Sequence, residues 1–334
     1  MRDLVVLSKE PFNAETKLAE RRGFITPAGE HYVRSHFTFP DAPSRIDIAG
    51  TGGVALADVR ALPARTLAVT LECAGNGRSL LAPKVPGEQW ALGAVGTARW
   101  TGALLRDVLA RAGARPGGRE VVFTGADSGV PKDIGTRIFY ERSLPVDVAL
   151  ADDVIVAYAM NGAPIPPEHG GPLRLVVPGW YGMASVKWLS RVHFSETRLV
   201  AFYQTERYVI DGQPLQQIEP RAIITAPSDG AEVAASLELR GYAWSGRAAV
   251  ADVEISVDER RVASLRTGDG AWVSGGDRFA WREFAFTLTL ASGEHAIAAQ
   301  AHDAAGNTQP LEPRWNALGY ANNAVRPVRV RVRA

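Results

Sequence analysis

The chain has 334 residues, 46% of them hydrophobic and 22% charged, with 37 Lys and Arg against 36 Asp and Glu. That length exceeds the usual single domain, so two domains are expected, and the ordinary apolar fraction excludes a disordered or collagen-like chain. A formal net charge of +1 argues against a nucleic-acid partner, which selects for a concentrated positive field.

The opening Met1-Arg2-Asp3-Leu4-Val5-Val6-Leu7-Ser8-Lys9-Glu10 is charged too early for a secretory leader, and no window has the apolar length of a membrane span. The sequence therefore reads as cytoplasmic, or periplasmic if a partner carries it across. Thr66 to Glu72 and Glu120 to Thr124 read as short strands from their β-branched content. Between them Thr101 is expected to cap a helix with the apolar stripe Leu104, Leu105, Val108, Leu109 and Ala112, ended by Gly113. Val154 to Met160 is a further expected strand, closed by the hairpin pair Asn161-Gly162. Leu173 to Val177 is an apolar run stopped by Pro178-Gly179. Helix and strand signals mix without strict alternation, so the expected class is α+β.

After about Pro220 the pattern becomes period-two. Val253, Ile255 and Val257 alternate with polar residues, as do Phe284, Phe286, Leu288 and Leu290, and then Val328, Val330 and Val332. Clusters such as Ser245-Gly246, Thr267-Gly268-Asp269-Gly270 and Gly306-Asn307 separate these runs. Residues 221–334 therefore read as an all-β, immunoglobulin-like sandwich following a first domain over 1–220.

The single cysteine, Cys73, excludes an intramolecular disulfide and a multi-cysteine zinc site. It lies in Leu71-Glu72-Cys73-Ala74-Gly75-Asn76-Gly77-Arg78-Ser79, where a strand runs into a turn of small residues followed by an arginine. Three readings stand: a buried structural thiol, a nucleophile with His36, His169 or His193 as base, or a soft ligand to a transition metal.

The wider pattern resembles the sulfite oxidase family of molybdenum-cofactor enzymes. The motifs run in the family's order: Pro11-Phe12-Asn13-Ala14-Glu15, Ile25-Thr26-Pro27, Val33-Arg34-Ser35-His36 and Cys73-Ala74-Gly75-Asn76. Next come Gly96-Thr97-Ala98-Arg99-Trp100, Ala157-Tyr158-Ala159-Met160-Asn161-Gly162, His169-Gly170-Gly171-Pro172-Leu173-Arg174 and Val186-Lys187-Trp188-Leu189. Gly241-Tyr242-Ala243-Trp244-Ser245-Gly246 and Trp315-Asn316 close the series.

The resemblance implies a molybdopterin-binding catalytic domain over 1–220 and a dimerisation domain over 221–334, hence a homodimer. It makes Cys73 the thiolate ligand of molybdenum, with molybdopterin bringing the other sulfur donors. Arg34, Arg78, Trp90 and Tyr208 form the implied anion pocket. The arginines hold the oxygens of sulfite through paired hydrogen bonds, Trp90 walls the pocket, and Tyr208 manages a proton at the metal. His36, Asp127, His169, Arg174 and Lys187 are the implied partners of the pterin and its phosphate. The implied reaction is oxidation of sulfite to sulfate by oxygen-atom transfer.

Two departures from the family pattern stand out. Leu318, in Trp315-Asn316-Ala317-Leu318-Gly319, occupies a place where sulfite-oxidising members commonly carry arginine, and Arg326 is a candidate replacement. No haem-binding segment precedes the molybdenum domain, so the expected cofactor set has no haem and electrons pass to a separate acceptor such as a cytochrome. Leu318 also keeps a second reading open, a molybdenum-dependent reductase or oxidase acting on another small oxyanion or a sulfoxide. A third, from a different class, is a cofactor-free interaction protein built on the immunoglobulin-type module.

Overall fold

In a computed structural model, residues 4–19 and 21–333 are described. The first three residues of the leader reading, Met1 to Asp3, lie outside them. Strands dominate, and the α-helices are short: Leu56–Arg60, Leu105–Arg111 and Val146–Ala149. Helix is thus a smaller share of the first region than an α+β reading suggests.

Two five-stranded sheets frame the first region. In one, Ala64–Glu72 pairs with Val95–Leu104, which pairs with Ile155–Met160; Ala163–Pro164 and Arg174–Val176 both join that last strand. In the other, the spatial order is Val54–Ala55, Arg45–Ile48, Leu189–Ser195, Glu120–Gly129 and Ile138–Pro145, with Arg45–Ile48 and Leu189–Ser195 parallel. Val95, Val121, Phe123, Val156, Leu175 and Val186 share one apolar core.

Local chemistry explains several boundaries. Asn161 (φ 53°) and Gly162 (φ 81°) take the left-handed conformations of a two-residue hairpin, as their pairing in sequence demands. Asp211 (φ 51°) and Gly212 (φ 72°) do the same between Val209–Ile210 and Gln213–Pro214. Leu105–Arg111 buries Leu105, Val108 and Leu109 and stops before Gly113 (φ 77°). Thr101, however, does not cap that helix. It lies within Val95–Leu104, and its hydroxyl meets that of Thr66 on the adjacent strand at 2.8 Å. Cross-strand pairing overrides its capping preference there.

From Arg221 onward, two sheets pack on a common core. The four-stranded one runs Arg221–Ala226, Ser236–Trp244, Arg282–Thr289, Trp272–Ser274, and the five-stranded one Ala231–Val233, Val328–Val332, Gly293–Asp303, Val250–Val257, Arg260–Arg266. Leu239 and Phe284 from the first sheet meet Val253, Ile255, Ile297 and Val330 from the second. The alternation read from sequence thus marks an inward-facing row on each strand.

Candidate active site

The Ala64–Glu72 strand ends at Glu72 and hands the chain to a tight turn carrying Cys73. The Cys73 amide donates to Ala94 O at 2.9 Å, and its carbonyl accepts from the Asn76 amide at 2.9 Å. Asn76 braces the turn from inside, donating to Glu72 Oε1 at 2.9 Å and accepting from the Ala94 amide at 3.1 Å. Gly77 reverses the chain at φ 85°, where a Cβ would stand 2.9 Å from Arg221 Nη2.

Cys73 lies where two cavities meet. The inner one is lined by Arg34, His36, Cys73, Asp127, His169, Arg174, Lys187 and Tyr208, together with His31, Tyr32 and Glu168 among others. The outer one shares Arg34, His36, Cys73 and Tyr208 and adds Arg78, Arg207, Asp133, Glu88, Leu318 and Tyr320 among others. Burial pushes the Cys73 thiol above its usual range, while the Arg34 and Arg78 guanidiniums pull the other way. A bound metal ion would displace that proton, because the thiolate is the ligand. Among the described residues no cluster of three or more His, Cys, Asp or Glu side chains could by itself hold a metal. A metal at Cys73 therefore needs donors beyond the His, Cys, Asp and Glu side chains of the described residues.

The hydrolase reading fails on geometry. His36 Nε2 is engaged by the Tyr208 hydroxyl at 2.6 Å, and His169 Nε2 by Ala28 O at 2.8 Å. His193 sits on Leu189–Ser195 and lines neither cavity. No imidazole among the described residues hydrogen-bonds Cys73, so a cysteine–histidine dyad is missing.

The inner cavity carries cationic groups that burial disfavours. Arg174 donates to His169 O at 2.7 Å and Ser185 O at 2.9 Å, with its guanidinium 4.7 Å from the centre of the Trp100 ring. Burial lowers its pKa to about 10. Lys187 Nζ donates to Ser35 Oγ at 2.9 Å and Glu168 O at 3.0 Å, and burial pulls its pKa down. Asp127 is pushed up by burial, with Lys187 opposing, and its Oδ1 is buried with no partner. A pterin phosphate would relieve the two cations, and a ring N–H would satisfy Asp127. The residues present therefore fit the cofactor that the sequence pattern implies.

Arg34 and Arg78 are anchored by part of each guanidinium. Arg34 Nη1 donates to Asn13 Oδ1 at 3.1 Å and Ser35 O at 2.6 Å. Arg78 donates from Nε to Leu318 O at 3.2 Å and from Nη1 to Glu88 O at 2.9 Å. Three glycines crowd the Arg78 guanidinium: a Cβ on Gly75 would stand 2.7 Å from Cζ, one on Gly87 3.0 Å from Nη1, and one on Gly319 3.0 Å from Nε. The Tyr320 ring covers it, 5.1 Å from Cζ to the ring centre, and stacks in turn on Tyr208 at 5.1 Å.

Tyr208 takes a left-handed backbone (φ 57°) between the π-helical turn Phe202–Glu206 and the Asp211-Gly212 hairpin. Its hydroxyl reaches His36, whose pKa is held well below the usual range by burial and by Arg34, Lys187 and Arg142. Burial raises the Tyr208 pKa, so the phenol keeps its proton.

Nine of the ten site residues expected from sequence thus surround the two cavities. Trp90 does not. Its fully buried indole packs with Leu71, Cys73 and Trp100 beneath the turn, outside the lining of either cavity. Its backbone is tied to the turn, the Trp90 carbonyl accepting from the Ser79 amide at 3.0 Å. Arg326 is likewise remote from both linings, with Nη2 on Leu80 O at 2.9 Å. His31, Tyr32, Glu168, Arg207 and Asp133 were not singled out in the sequence. Tyr32 and His31 stand two and three residues before Arg34, the one local signal that pointed to them.

The chain matches known proteins along most of its length. Residues 46–203 match the oxidoreductase molybdopterin binding domain, and residues 213–333 the Mo-co oxidoreductase dimerisation domain. Sulfite oxidase of Gallus gallus is 37% identical over 358 aligned residues, covering 96% of this chain and 76% of that protein. A nitrate reductase [NADH] of Oryza sativa is 30% identical over 97% of this chain, which spans 40% of it. The crystal structure of the sulfane dehydrogenase SoxCD from Paracoccus pantotrophus superposes with a TM-score of 0.81 at 25% identity, covering 96% of this chain and 84% of that one.

Proposed function

The chain belongs to the sulfite oxidase family of molybdenum-cofactor oxidoreductases, and from that premise we propose that it oxidises sulfite to sulfate by oxygen-atom transfer. The observation that carries this reading is the meeting of two cavities at Cys73, one suited to an anionic pterin and one armed with anchored arginines. Bound there, molybdopterin-held molybdenum would supply the two-electron redox chemistry.

The chain's own residues do the rest. Cys73 would provide one fixed sulfur ligand, and Asp127, His169, Arg174 and Lys187 would hold the pterin and its phosphate. His36 lines both cavities and would hold the Tyr208 hydroxyl in place. Arg34 and Arg78 would orient the sulfite oxygens and leave its sulfur lone pair facing the metal. Tyr208 would keep its proton and offer it as a hydrogen bond beside the reacting oxygen.

We take 1–220 as the catalytic domain and 221–334 as an immunoglobulin-like sandwich through which two copies associate. Electrons would leave to a separate carrier such as a cytochrome. No helix among the described residues is long and apolar enough to cross a membrane.

Steady-state assay of the metal-loaded protein with sulfite and ferricyanide tests the reading, and turnover saturating in sulfite supports it. Leu318 lines the outer cavity and favours one competitor, reduction of another oxyanion or a sulfoxide. Turnover of nitrate or a sulfoxide from an artificial donor, with none of sulfite, would establish that alternative.

A further inference from the structure

The outer cavity holds a third guanidinium that neither the motifs nor the reaction scheme uses. Arg207 lines it together with Arg34, Arg78, Tyr208 and Leu318. Like Arg34 and Arg78 it donates to a backbone carbonyl, Nη1 to Glu206 O at 3.2 Å, but unlike them it also pairs with a carboxylate: its Nη2 lies 2.5 Å from Asp133 Oδ2, and Asp133 lines the same cavity. The guanidinium rests on the Phe202 ring, 4.9 Å from Cζ to the centre, and Arg207 immediately precedes Tyr208 in the chain. The side chains of Arg207 and Asp133 are 30% and 59% exposed, so water screens the pair and an incoming anion can exchange into it. The Leu318 segment offers this cavity an apolar side chain and a carbonyl already taken by Arg78.

We propose that Arg207 is a third oxyanion-binding guanidinium of the outer cavity, and that Asp133 holds it at the rim as an internal competitor for the substrate. The inference rests on the oxyanion reading of the site and extends it. On arrival, the small oxyanion displaces the Asp133 carboxylate from Nη2, and Arg207 keeps a partner throughout. Asp133 thus sets an affinity threshold, weakening capture of anions that bring too little charge to displace it.

The test uses metal-loaded enzyme, with sulfite KM and kcat measured alongside sulfate binding by calorimetry. Removing a charged hydrogen bond to an anion lowers affinity roughly ten- to a hundredfold. Arg207→Gln is therefore expected to raise the sulfite KM and the sulfate Kd by about that factor, with Arg207→Lys in between. Asp133→Asn is expected to lower both constants several-fold, and that gain should vanish in the Arg207→Gln background. Sulfite turnover with both constants unchanged in Arg207→Gln and Asp133→Asn would overturn the inference and leave the reaction intact. A fall in kcat at constant KM and Kd would also overturn it, placing the effect on Tyr208. Sulfate binding that weakens in Arg207→Gln, in an enzyme that never turns over sulfite, would sustain the inference and remove the proposed reaction.

Discussion

Glu72 and Arg221, 149 residues apart in the chain, form a buried ion pair directly beside Cys73. Glu72 Oε2 also accepts from Trp244 Nε1 at 2.8 Å, and Arg221 Nη2 donates to the carbonyl of Asn322, whose side chain reaches Gly77 O at 2.7 Å. The Ala321 amide adds a bond to Ala74 O at 2.8 Å. The turn that carries the thiol is thereby clamped by a strand pair of the four-stranded sheet (Arg221, Trp244) and by the irregular segment at Ala321-Asn322, so the second region shapes the site as well as adding mass to the molecule.

Breaking one half of that pair leaves a buried charge without compensation, which typically costs about 3–5 kcal/mol. Arg221→Met is expected to destabilise the protein by that order in chemical denaturation. Glu72→Gln combined with Arg221→Met should recover part of the loss. Equal stability of wild type and Arg221→Met would remove the clamp from the explanation of the turn.

Arg78 is held by space as well as by bonds. Gly75→Ala places a methyl group within 2.7 Å of the guanidinium, so Arg78 must move. The sulfite KM is expected to rise about tenfold or more, approaching that of Arg78→Gln, while molybdenum content is retained. A normal KM in Gly75→Ala would show that the cradle does not position Arg78.

Acid should destabilise the fold through buried imidazoles. Burial lowers the His31 pKa to about 4 against an ordinary 6.5. Below pH 6.5 the unfolded chain therefore takes up a proton that the folded chain refuses, and stability falls until about pH 4. One such group accounts for about 3 kcal/mol across that window. Thermal unfolding followed from pH 7 down to pH 4 checks the slope. His31→Gln should flatten it, and an identical slope in that variant would assign the acid sensitivity elsewhere.

Much of the architecture is legible in the residues themselves. Asn161-Gly162 declares its hairpin, and Val253, Ile255 and Val257 declare an inward row, because these signals are local. Thr101 misleads because its capping preference is outweighed by strand pairing with Thr66. The site divides along similar lines. Cys73, Arg34 and Lys187 stand in recognisable motifs, whereas the Arg207–Asp133 pair joins residues 74 apart that belong to no motif. Trp90 differs again: the family resemblance implies a wall of the pocket, and the indole packs in the buried cluster with Leu71, Cys73 and Trp100.

The most direct measurement is X-ray absorption at the molybdenum edge of protein purified from a cofactor-competent host, wild type beside Cys73→Ser. The expected result is about one molybdenum per chain in wild type, with one sulfur scatterer fewer in the variant, together with loss of sulfite turnover. Wild-type protein free of molybdenum, or a variant with the same sulfur coordination as wild type, would contradict the assignment of Cys73 as the metal's protein ligand.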